Sequence, residues 1–137
     1  MSEVKVSTVL FCDDVRQEVG DKFSLLGVYQ DAIVIQRVPI RLPTFAVFLQ
    51  LEIVGKAPKI VDVVVRTPTG ESVEIRAEQP EGFECNFSPQ VVTIPVKTAQ
   101  LPLNSVGEII ADVKVDDEHL YTAKLPVILS SPKEEGE

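Results

Sequence analysis

The sequence predicts an all-β fold, an antiparallel β-sandwich of about eight strands, with a partly closed barrel as the second arrangement. Val and Ile dominate the 45% apolar fraction, Trp is absent and aromatic residues make up 6%. Branched side chains of this kind fit a pleated, half-buried surface better than a helix. Short alternating runs recur at close spacing, broken by Pro, Gly and Asp, and no long helical period or internal repeat interrupts them. Immunoglobulin-like and C2-like sandwiches are built from strands spaced in this way.

The first run, Lys5 to Cys12, carries apolar residues on both faces and reads as a central strand. From Asp13 to Lys22 the chain turns charged. Asp14 suits an N-cap, Gln17 stands three residues on and Gly20 offers a left-handed stop, so one helical turn is expected over Val15 to Val19. A second strand spans Lys22 to Ala32, where Gly27 marks a bulge or the close approach of another backbone. After a break at Pro39 to Pro43, Thr44 to Val54 alternates cleanly. Phe45, Val47, Leu49, Leu51 and Ile53 face the core, with Gln50 and Glu52 in water.

Lys59 to Arg66 and Ser72 to Ala77, joined by Thr67-Pro68-Thr69-Gly70-Glu71, form a hairpin. Glu78 to Gln90 lacks periodicity. Strands follow over Val91 to Leu101, Glu108 to Val115 and His119 to Leu129, the last two joined by a tight turn at Asp116-Asp117-Glu118. Pro95 and Pro126 place sheet edges or bulges, because proline cannot donate to a ladder. The chain is expected to hold one domain, 1–129, and a charged, disordered tail, 130–137.

The formal net charge of -8 opposes nucleic-acid binding, which depends on Lys and Arg neutralising phosphates. It equally opposes anionic membrane surfaces, and no apolar run reaches the length of a membrane span. The chain is expected to be cytoplasmic, with Cys12 and Cys85 as free thiols. A protein partner or self-association remains, the latter through exposed edge strands.

The acidic stretch itself has a familiar form. Leu10-Phe11-Cys12-Asp13-Asp14-Val15-Arg16, then Glu18, Lys22, Ser24 and Leu25-Leu26-Gly27-Val28-Tyr29, resembles the N-terminal signature of a family of small, uncharacterised bacterial proteins, DUF6941. Overall length is similar as well. The resemblance implies a β-rich cytoplasmic domain with no known activity.

Candidate binding residues are Asp13, Asp14, Arg16 and Glu18 at the strand end, and Phe83 and Phe87 on the aperiodic loop. The carboxylates suit a hard cation such as calcium if Asp31 and the turn Asp116 to Glu118 converge on them, although no EF-hand-type loop occurs. The bland alternative is an Asp14 cap and an Arg16 ion pair. The phenylalanines suit either a partner anchor or a plug over one open end of the core.

No cofactor or catalytic site is assigned. His119 is the single histidine and falls short of a zinc set even with both cysteines. Cys12 has acidic neighbours, which raise a thiol pKa rather than depress it. Phosphate-loop, dinucleotide, nucleophile-elbow and HExxH motifs do not occur. The sequence therefore points to a non-enzymatic binding or interaction module. A calcium- or small-ligand-binding domain is the alternative, and a hydrolase centred on Asp13, Asp14 and Arg16 stands third.

Overall fold

The computed structural model describes residues 3–20, 22–78 and 90–130. These form nine strands in two sheets rather than about eight, with no helix. The strands are β1 (Glu3–Glu18), β2 (Lys22–Val28), β3 (Ile33–Ile35), β4 (Ile40–Val54), β5 (Ile60–Arg66), β6 (Ser72–Glu78), β7 (Gln90–Leu103), β8 (Gly107–Val115) and β9 (Glu118–Leu129). One sheet runs β2-β1-β4-β7 and the other β3-β9-β8-β5-β6. All pairings are antiparallel except β3 with β9.

The two sheets share one core. Phe45, Val47, Leu49 and Leu51 of β4 meet Val63 and Val65 of β5, Ile109 of β8 and Val127 of β9, all almost fully buried. β4 lies between β1 and β7, and it is less one-sided than its alternation suggests. Ala46 and Phe48 on its other face are also buried, in a second cluster with Cys12, Val15, Phe23 and Leu25. The Phe23 ring meets Phe48 edge-on at 5.7 Å.

The helical turn expected over Val15 to Val19 does not form. β1 continues to Glu18 and pairs with β2 from Cys12↔Val28 to Glu18↔Lys22. One isolated helical turn fixes several dihedrals for a single hydrogen bond. The ladder instead satisfies a row of backbone groups and buries Val15. Cys12 and Val15 enter the same cluster although three positions apart, so the side-chain alternation breaks between them and imitates helical spacing.

The expected hairpin is present, with β5 and β6 in constant register from Ile60↔Glu78 to Arg66↔Ser72. The Asp116-Asp117 turn is also present. Both residues have positive φ, 48° and 68°, between the paired Val115 and Glu118. Two left-handed residues make the turn whose twist matches a hairpin, and Asp tolerates that region better than most side chains. Pro95 lies in β7, an edge strand. Pro126 directly precedes the three residues of β9 that pair with β3. Residues 131–137 of the expected tail lie outside the described residues. Among the described residues, no helix is long and apolar enough to cross a membrane.

Truncating the fully buried Leu49 should show how far the fold rests on β4. Urea denaturation of Leu49→Ala should give a loss of about 2–5 kcal/mol. Val54→Ala, at an exposed position on the same strand, should stay within about 0.5 kcal/mol of wild type.

Candidate functional site

Of the four charged residues singled out near the start of the chain, Asp14 and Arg16 come together, whereas Asp13 and Glu18 each engage a different partner on or beyond β2. Asp14 reaches Lys97 of β7, Oδ1 to Nζ 3.5 Å, and Arg16 at 3.8 Å. The Lys97 ammonium also donates to the Val15 carbonyl at 3.0 Å, fastening β1 to β7 where β4 no longer pairs with it. Glu18 accepts from the Ser24 hydroxyl at 2.8 Å across the hairpin. These are exposed structural pairs. Asp14 is not a helix cap, and its pairing with Arg16 agrees with the bland reading.

Asp13 is placed differently. Its carboxylate accepts from the Tyr29 hydroxyl at 2.8 Å, across the position of Gly27. Gly27 has φ +64°, and a β-carbon there would come within 2.2 Å of Asp13 Oδ2. The close approach expected at Gly27 is therefore real, but it is made by a side chain rather than another backbone. The Tyr29 ring packs on Phe45, and its backbone N–H donates to the Phe11 carbonyl at 2.8 Å. Burial, then the Asp13 hydrogen bond and charge, push the Tyr29 phenol well above its ordinary range. Cys12 is fully buried, and burial followed by the Asp13 charge raises its thiol pKa, leaving no activated nucleophile.

Tyr29 opens onto a cleft of about 460 Å³ at the seam between the sheets. Val9 and Phe11 of β1 form one wall, and Tyr121, Ala123 and Lys124 of β9 the other; Gln30 and Asp31 close one end. Both tyrosines of the chain line it. Among the described residues, the walls are strand segments without a ladder partner on that side. β1 pairs with β2 only from Cys12 onward, and β9 pairs with β3 only from Val127 onward. No sequence pattern marks such an edge, because it depends on where a neighbouring strand begins.

A second polar group lies on the outer face of the five-stranded sheet. Asp112 pairs with Arg66 and accepts from the Thr122 hydroxyl at 2.6 Å, while His119 Nε2 stands 2.7 Å from that hydroxyl. The Thr122 hydroxyl first, and then Arg66, hold the Asp112 carboxyl below its usual range. In a hydrolytic triad the imidazole stands between hydroxyl and carboxylate. Here the hydroxyl stands between the other two and donates to the carboxylate, so its proton is not directed at the imidazole as it is in such a triad. His119 is exposed, as expected, but partnered.

The acidic turns do not come together as ligands. Asp116 Oδ1 accepts from the Lys59 and Ile60 backbone N–H groups at 3.0 Å each, which ties the β8–β9 turn to the start of β5. Among the described residues, no group of three or more His, Cys, Asp or Glu side chains is arranged to hold a metal ion. Glu71 is likewise engaged, by the Thr67 and Thr69 hydroxyls and by Asn104 at 3.3 Å. Phe83, Phe87 and Cys85 lie outside the described residues. A more apolar cleft of about 380 Å³, with Leu51, Val61 and Val92 in its wall, occupies the opposite seam.

Residues 7–128 match the model of the Family of unknown function DUF6941. The chain belongs to that family. A search of curated protein sequences returned no match. Among solved structures, the chain resembles Pseudomonas fluorescens alkylpurine DNA glycosylase AlkC bound to DNA containing an abasic site analog, with a TM-score of 0.50 at 15% identity. The likeness covers 92% of this chain but 30% of the glycosylase, and it is a likeness of fold. It corrects one expectation drawn from charge. The fold is shared with a protein whose solved structure holds DNA, so nucleic acid is not dismissed as a partner by a net charge of -8. Net charge is a sum over the whole chain, whereas phosphate contacts are made locally.

The Asp13–Tyr29 contact has a pH signature. The folded state keeps the phenolic proton where the unfolded chain releases it, so this contribution to stability is intact below about pH 10 and is lost as pH rises toward the folded value. Spectrophotometric titration against Tyr29→Phe should show Tyr29 ionising late. Asp13→Asn should bring that ionisation down without restoring the ordinary value, since burial remains.

Proposed function

We propose that this protein is a non-enzymatic binding module that receives an extended segment of a protein partner along the seam between β1 and β9. In this reading the two sheets are the halves of a β-sandwich, and the protein works in the cytoplasm. The observation that carries the proposal is the cleft itself, walled by two strand segments that have no ladder partner on that side among the described residues and lined by Tyr29 and Tyr121. An added strand gains affinity from main-chain hydrogen bonds and specificity from side chains entering alternate pockets. Tyrosine suits such a site, since its ring buries apolar area while its hydroxyl stays hydrogen-bonded. The buried thiol and the inverted Thr122–His119 geometry support a role without catalysis. The internal engagement of Asp13, Asp14 and Asp116 favours this reading over calcium binding.

Fluorescence anisotropy with a panel of labelled, alternating apolar and polar peptides tests it, with single-stranded and duplex DNA as competing probes. Wild type should bind members of the panel, and Tyr121→Glu, at an exposed position, should weaken them by about tenfold or more, some 1.4 kcal/mol. Binding of DNA alone would overturn the peptide reading. A rise of several degrees in Tm with millimolar calcium would restore the cation reading.

A further inference from the structure

We propose that the chain also self-associates through β6, which pairs antiparallel with β6 of a second copy about a twofold axis at Ile75. Among the described residues, β6 is the outer strand of its sheet and is bonded only to β5. Sheet edges are ordinarily guarded by proline, bulges, twist, shortness or charge, and charge guards an edge against a copy only where like signs would meet. The other terminal strands of the two sheets carry such guards. β3 has three residues, β2 carries Gly27 at positive φ, and β7 carries Pro95, Pro102 and Gln100 at φ 57°. β6 has seven residues, with no proline, glycine or register shift.

The side chains of β6 are self-complementary in this register. With Ile75 opposite its own copy, Val73 falls opposite Ala77; all three are half-buried, and Ile75 and Ala77 pack against the core. On the outer face Glu74 falls opposite Arg76, and Arg76 opposite Glu74. Within the chain, Arg76 Nε already donates to Asp62 Oδ1 at 2.8 Å, and Asp62 stands beside Lys114 in the ladder. Adding Glu74 of the second copy extends this row to Lys114, Asp62, Arg76, Glu74, with the sign alternating at every strand. Opposite charges facing across strands stabilise a sheet, and like charges destabilise it. The contact is isologous, so it closes at two copies.

Light scattering and sedimentation of the full chain test the proposal. Wild type should reach dimer mass at high micromolar concentration, while E74R and R76E should each remain folded monomers. An equimolar mixture of the two variants should recover the dimer, since an acid again faces a base at both positions. Wild type that stays monomeric throughout, E74R that dimerises like wild type, or a mixture of folded variants that stays monomeric would each overturn the pairing. R76E removes the partner of the buried Asp62, so wild type supplies a second measurement. Hydrogen exchange over residues 72–78 should slow as concentration rises, and unchanged exchange would count against the interface. The β6 edge is independent of the β1–β9 cleft, so peptide binding by E74R should match that of wild type.

Discussion

β4 is the constraint on which the rest of the architecture depends. It is paired along one side with β1 and along the other with β7, and from Phe45 to Leu49 it is buried on both faces. Its inner side chains form the floor against which the second sheet packs. Its outer side chains anchor the β1–β2 hairpin through Cys12, Val15, Phe23 and Leu25. A strand in this position has no solvated face to absorb a slip in register, because moving one residue would exchange two well-filled environments.

Polar groups are subordinate to that packing. Among the described residues, no buried side-chain nitrogen or oxygen lacks a hydrogen-bond partner. Several of the acidic residues that give the chain its charge hold segments together. Asp116 ties a hairpin to a neighbouring strand, Asp62 grips Arg76, and Asp14 joins β1 to β7 through Lys97. An abundance of carboxylates in a sequence is therefore poor evidence for a cation site when each has a backbone N–H or a base within reach.

Much of the fold was legible in the residues. β4, the β5–β6 hairpin and the Asp116-Asp117 turn follow from period-2 alternation and turn chemistry, which act over a few positions. The continuation of β1 was not legible, because Cys12 and Val15 carry helical spacing and Asp14 and Gly20 carry helical punctuation; only the pairing with β2 decides against them. The burial of Ala46 and Phe48 was hidden for a similar reason, since it depends on β2 folding across the sheet. Of the candidate site, the signature around Asp13 and Tyr29 was visible as a stretch, and Gly27 signalled a close approach. The different partners of Asp13 and Asp14, Tyr29 and Lys97, are brought near by β2 and β7, and the segments beside Tyr121 that lack a ladder partner follow from where β2 and β3 pair.

β1 changes partner midway, and this divides the molecule mechanically. Up to Cys12 the strand is bonded to β4 and belongs to the central sheet; beyond it, the ladder is with β2 alone. The far part of the hairpin is held by a small apolar cluster and by Lys97 reaching the Val15 carbonyl. Regions with few buried contacts open at lower free energy than the global transition. By that rule the β1–β2 tip should open more readily than β4 and the shared core. Such opening would bare Phe48 and the Cys12 thiol together, so the one buried thiol among the described residues becomes a native reporter of the tip's motion.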